Sequence, residues 1–304
     1  MISQILFQQI AIMFLILFCG WALCKRGLID PDGARGLSNV LLYLVVPCVV
    51  MRSYITEFSW ERLRDLGLSA VLAVVALALA FLVSHLVYGT RDRTRNFASA
   101  FCNAGFIGIP LAQAAFGAEA VFYIAAFTTL LNLLQWTYGV WVMTGERKFM
   151  AAKNVLTNPV TIALAVGLVL FCTGLTPPAV VTRAMDAVAA LNSPLAMLVL
   201  GTSLAQADLK QVFTEPGLYR MSLVRLVLAP ALTLAVFWLL PVGSPTLRLV
   251  TLIAACTPSG TMSVIFAQKF GCDAPLASRA VCLSTLLCIL TVPLMMALAG
   301  RLIA

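Results

Sequence analysis

The chain has 304 residues, of which 62% are hydrophobic and 11% charged, and its mean hydropathy is +1.00. Soluble domains do not carry that composition, so the fold class is all-α and the protein is polytopic in a membrane. The net charge of +8 suits basic loops lying against anionic lipid, and no nucleic-acid partner is needed to explain it.

Ten apolar segments follow one another, roughly 4–24, 36–54, 65–89, 96–116, 120–143, 154–174, 187–205, 217–240, 246–268 and 275–300, each near the length that a bilayer core demands. The first has no basic leader region and no small-residue cleavage site, so it reads as a retained span rather than a signal peptide. No connection is long enough to hold a soluble domain. The nine cysteines are odd in number, lack C-x-x-C spacing and sit mostly inside apolar segments. They read as packing residues, and no disulfide framework, metal site or cofactor is implied. The single histidine, His85, lies near the end of the third span with no acidic neighbour in that span, which argues against an enzyme.

In the second span Asn39, Tyr43 and Pro47 mark a bend. The fourth is interrupted more severely, by Cys102-Asn103-Ala104-Gly105-Phe106-Ile107-Gly108-Ile109-Pro110. Pro110 cannot donate to the carbonyl of Phe106, and Gly105 and Gly108 let the backbone leave helical geometry cheaply, so a broken helix is predicted there. At membrane depth such a break is tolerated only where it is buried in protein or lines a wet cavity, which makes the stretch a candidate site. The plainer alternative is a proline kink with glycines for close helix packing. Asn192 and Pro194 mark a bend in the seventh span, and Arg225 lies inside the eighth. That arginine either snorkels to the headgroups or acts as a fixed cation, attracting an anion or pairing with carbonyls freed at Pro230.

Shifting the sequence by 154 brings its halves into register. Gly20, Gly89 and Gly117 then meet Gly174, Gly243 and Gly271, and Glu119 meets Asp273. Five spans per half is an odd number, so the second half must be inserted upside down, with repeats at 1–150 and 151–304. Inverted repeats of this kind place substrate near the midplane on paired discontinuous helices. The register predicts an interruption in the ninth span, and Cys256-Thr257-Pro258-Ser259-Gly260-Thr261 supplies it, with Thr257 opposite Asn103 and Pro258 freeing the carbonyl of Ala254.

Lysine and arginine set the orientation. Connections after odd-numbered spans carry 13 of them and the opposite face 6, which predicts a multi-pass inner-membrane protein with both termini outside. All twelve acidic residues fall in loops or at span ends. A midplane free of carboxylates, with amides, hydroxyls and helix N-termini at the breaks, suits a carboxylate substrate better than a cation. Backbone carbonyls at the same breaks could nonetheless hold Na⁺.

The pieces Asn39 to Pro47, Asn103-x-x-x-x-Gly108-Ile109-Pro110, Asn158-Pro159, Arg225-Leu226 with Pro230, Pro258-Ser259-Gly260 and Pro293 resemble, in order and spacing, the auxin efflux carrier family. That family includes plant auxin carriers and bacterial carriers of malonate- and malate-like acids. The resemblance implies ten helices in two inverted five-helix repeats, with spans 4 and 9 crossing at their prolines and the substrate carboxylate beside the crossing. It assigns substrate contact to Asn103. Where the family has a glutamine in span 5, Leu131 and Asn132 stand here, and Asn132 is the substitute.

The candidate substrate-binding residues are therefore Pro47, Asn103, Gly105, Gly108, Pro110, Asn132, Arg225, Thr257, Pro258, Ser259, Gly260 and Thr261. The function expected is a secondary carrier of small organic acid anions by alternating access. A ligand-gated channel, a membrane receptor for the same ligands and a sodium-coupled organic-anion symporter are the alternatives. The partners are the organic anion and the lipid bilayer, with a homodimer as a compatible assembly.

Overall fold

The computed structural model describes residues 2–145 and 157–303, and among them every regular element is helical. In chain order these are α1 (Ile2–Lys25), α2 (Pro31–Ser53), α3 (Trp60–Tyr88), α4 (Arg93–Ala100), α5 (Ala104–Phe116), α6 (Glu119–Thr144) and α7 (Pro159–Thr173). They continue with α8 (Ala179–Gln206), α9 (Leu209–Thr214), α10 (Pro216–Leu239), α11 (Pro245–Cys256), α12 (Met262–Lys269) and α13 (Ala274–Leu302). Seven of them are long and apolar enough to cross a membrane, and α5, α7 and α11 are shorter apolar helices. The fourth and ninth apolar segments are each split in two, as α4 with α5 and α11 with α12. Basic residues Arg147, Lys148 and Lys153, the start of the sixth segment and the boundary at residue 150 lie outside the described residues.

Side-chain caps start many of these helices. Asp30, Ser59, Asp92, Asn158, Ser244 and Asp273 each accept a hydrogen bond from an amide in the first turn, satisfying donors that a helix leaves unpaired. In the connections between helices, Gly89 and Gly243 (φ +57° and +75°) and Gly117 and Gly271 (φ +80° and +69°) take left-handed conformations at matched positions of the two halves. The third pair differs. Gly174 is left-handed (φ +67°), whereas Gly20 lies inside α1, where its missing Cβ lets the helix sit against the backbone of Leu198.

Among the described residues, four helices contain a five-residue π turn, at Leu41–Val45, Ala104–Gly108, Gln135–Gly139 and Val224–Leu228. Three of these turns end two residues before Pro47, Pro110 and Pro230. In each of the three, the amide just before the proline bonds five residues back, as Ile109 N–H does to Ala104 O, and the helix passes the proline without breaking. The predicted break at Gly105 to Pro110 is corrected accordingly. The chain leaves helical geometry earlier, at Phe101 to Asn103 (φ −104°, ψ 120° at Phe101), and α5 continues through Gly105, Gly108 and Pro110.

Candidate functional site

The two breaks face each other. Asn103 N–H donates to Pro258 O at 2.8 Å, Gly260 N–H donates to Phe101 O at 3.0 Å, and Cys102 pairs with Ser259 as an isolated antiparallel bridge. The exposed backbone of one break thus satisfies that of the other, as burial in an apolar protein requires. Gly260 is needed for this approach, because a Cβ there would sit 2.9 Å from Cys102 O. Ser259 completes the joint: its hydroxyl donates to Ala98 O at 2.6 Å, and its amide donates to Ser284 Oγ at 3.1 Å.

Three further carbonyls at the ends of α4 and α11 are held by Arg225, which is 1% exposed. Its Nη1 donates to Ser99 O (3.2 Å) and Ala100 O (3.0 Å) of α4, and its Nη2 donates to Ala255 O of α11. This geometry corrects two of the predicted readings, snorkelling and pairing at Pro230, and leaves a fixed cation at the crossing. Arg225 does not snorkel, and the carbonyls it holds end the two half-helices rather than flank Pro230. Pro258 likewise does not free Ala254 O, which accepts from the Thr257 amide at 3.3 Å and the Thr257 hydroxyl at 2.7 Å.

Two cavities, of about 550 and 570 Å³, with mixed polar and apolar linings, flank the Phe106 to Pro110 stretch of α5 from opposite sides; Asn103, Pro258, Gly260 and Arg225 line neither. The first lies at the α2–α3 end and is lined by Val49, Arg52, Arg62, Pro110, Glu119, Asp186 and Asn192 among others. The second lies at the α12–α13 end and is lined by Leu42, Phe106, Val199, Gln206, Gln211, Thr261, Gln268 and Arg279 among others. Helices α2, α5 and α8 line both cavities. On α5 the switch from one to the other takes only the four residues from Phe106 to Pro110, about 6 Å of axis. The partition is therefore roughly one helical turn thick at α5. Each cavity is bordered by ion pairs: Arg52 with Asp186 (2.6 Å) and Arg62 with Glu119 (3.9 Å) at the first, and Glu215 with Arg95 and with Arg279 (3.2 Å) at the second.

Asn103 heads the α5 segment that forms the partition. It is 5% exposed, and its Nδ2 is buried with no hydrogen-bond partner. Gly105, two residues on, has nothing within 4 Å of where a Cβ would stand, whereas Gly108 packs against Ile124 and Thr257. Pro110 and Thr261 line the two cavities, one each. Pro47 is buried on α2 between the cavity-lining Leu42 and Val49. Thr257, Ser259 and Arg225 spend hydrogen bonds inside the joint, and Pro258 contributes its carbonyl there. Asn132 is half-buried and lines neither cavity.

Among the amides more buried than Asn132, two others stand out. Asn192 (4% exposed) lines the first cavity with its Oδ1 unpartnered, and Gln135 (3% exposed) opens the π turn of α6 with its Oε1 unpartnered. Their signal in the sequence is the one that marks Asn103, a lone amide in an apolar run. The cavity-border ion pairs carry no such signal, since Arg52 and Asp186 are 134 residues apart.

Residues 5–296 match the membrane transport protein family. The chain belongs to that family. This agrees with the auxin efflux carrier resemblance of its motifs. A transporter of Methanothermobacter thermautotrophicus, named as uncharacterized, is 23% identical over 94% of this chain and 96% of its own. A Rhizobium meliloti protein, by its name a proposed malonate transporter, is 25% identical over 92% of this chain and 91% of its own. A Methanocaldococcus jannaschii transporter is 23% identical over 94% and 96%. This membrane transport family member is thus similar to transporters along nearly its whole length.

Proposed function

We propose that the protein is a secondary carrier of small organic acid anions that works by alternating access across the partition at the crossing. The observation that carries this reading is the pair of opposed cavities separated by about one turn of α5, with the unpartnered Nδ2 of Asn103 at its head. A buried donor without a partner is costly unless a ligand completes it. It stands at the N-terminus of α5, where unpaired amides favour an anion. Among the described residues, no acidic residue hydrogen-bonds within the crossing to compete with a carboxylate, the acids that line the cavities being Glu119 and Asp186 in the first and Asp208 in the second. Short acids of the malonate and malate type are the substrates to try first, in line with the name of the Rhizobium relative.

The membrane plan that accompanies this reading has ten spans in two inverted five-helix repeats. Its support is the mutual pairing of the two broken segments and the left-handed glycines at matched positions. The basic-residue bias puts the second cavity on the cytoplasmic side of the inner membrane and both termini outside. Cysteine accessibility tests the orientation: a cysteine at 301 labelled from the cytoplasm would reverse it.

Radiolabelled malonate and malate in proteoliposomes test the function. A carrier shows saturable uptake accelerated by unlabelled substrate on the far side. Flux that neither saturates nor exchanges would make the protein a channel, and binding without flux a receptor.

A further inference from the structure

We infer that Arg225 is a resident cation of the crossing, filling the oxygen site at the two helix C-termini that a coupling ion would otherwise occupy, so that the carrier selects anions without Na⁺. The inference rests on the organic-anion reading and adds to it the sign selection and the absence of a coupling ion.

Four helix ends meet at the joint. Helices α4 and α11 bring their carbonyl ends, and α5 and α12 begin there with their amide ends. Helix C-termini carry roughly half a negative charge and N-termini roughly half a positive one, so the four ends about cancel. Such carbonyl ends are good ligands for hard cations, which take oxygen. In this protein three of those oxygens, Ser99 O, Ala100 O and Ala255 O, already converge on one guanidinium. No carboxylate pairs with it among the described residues, and it is buried at 1% exposure. Its full positive charge is therefore uncompensated by any acid, and the crossing carries a net positive excess beside the Asn103 donor.

The residue type matters as much as the charge. A planar fork reaches carbonyls of two helices from a third, whereas an ammonium is a point charge on a flexible stem. Arg225 does not need to touch substrate in this scheme. It is a positioning residue, acting through the field at the crossing and through the geometry of the two carbonyl ends.

The test combines calorimetric binding of malonate with counterflow in proteoliposomes, each in sodium chloride and in choline chloride. The wild type should give the same affinity and rate in both salts. Arg225→Met, a neutral residue of similar length, should weaken malonate binding by about tenfold or more. Guanidinium ion or Na⁺ should restore part of that loss by refilling the emptied oxygens. Arg225→Lys, which keeps the charge, should bind malonate independently of Na⁺, and it carries the test if the methionine variant does not fold. Wild-type affinity in Arg225→Met would overturn the inference, as would a requirement for Na⁺ in the wild type or in Arg225→Lys. Absence of counterflow in the wild type would sink the carrier reading instead, while the binding measurements, which need no turnover, would still decide the role of Arg225.

Discussion

Replacing Asn103 with alanine isolates one donor. The residue's backbone N–H donates to Pro258 O at 2.8 Å and its carbonyl accepts from Ile107 N–H at 3.1 Å. Neither bond involves the side chain, so the joint survives the substitution. Nδ2 has no partner to lose, and an unpaired buried amide costs about 1–3 kcal/mol. The ligand-free variant should therefore unfold at the wild-type temperature or above it. With a carboxylate in place, the same atom makes a charge-assisted bond worth about 1.5–3 kcal/mol, so its loss should weaken affinity by about 10- to 150-fold. Calorimetric titration of malonate and malate into monodisperse protein reads the affinity, and thermal unfolding reads the stability. Asn103→Asp should bind worse still, since a carboxylate at that place repels the anion unless it takes up a proton. Wild-type affinity in Asn103→Ala would refute the assignment, and a lower unfolding temperature without ligand would show that the amide holds the break together instead.

Gly260→Ala places a methyl 2.9 Å from Cys102 O, a backbone atom that cannot swing aside. It should cost about 1–3 kcal/mol in thermal unfolding and abolish uptake, and wild-type stability would mean that the close approach is not required. Thr257→Val removes the hydroxyl bond to Ala254 O, so stability should fall by about 0.5–1.5 kcal/mol with affinity within about twofold of wild type. A large loss of affinity at wild-type stability would return Thr257 to the substrate. Gly105→Val enters open space and should fold normally while weakening malonate binding by calorimetry. Unchanged binding would remove that face of α5 from the site.

The membrane class, the apolar segments and the two interrupted spans are legible in the sequence because hydropathy and proline carry local physical consequences. The place of the first break is not. Pro110 looks like the culprit, yet a π turn absorbs it, and the chain instead unwinds at Phe101 to Asn103, where only the pairing with Pro258 and Gly260 makes an extended backbone affordable. The same nonlocal cause hides the role of Arg225, whose partners lie on α4 and α11. A polar residue in an apolar run signals burial, but not whether a ligand or the protein's own backbone completes its bonds. Asn103 and Thr257 occupy matched positions and differ in that respect: Thr257 is satisfied within its own turn, and Asn103 is left open.

Two polar cavities that approach within about one helical turn leave little low-dielectric material between the aqueous phases. If both cavities fill with water, the membrane voltage would fall mostly across the partition at the level of Phe106 to Pro110, rather than over the full thickness of the bilayer. On the proposed carrier mechanism, a carboxylate passing the crossing would carry nearly its whole charge through that field while travelling only about 6 Å. Each elementary charge so moved is worth about 2.3 kcal/mol per 100 mV. On that mechanism, an anion travelling alone would be driven outward by an inside-negative potential, with the electrical work collected over a single short stroke.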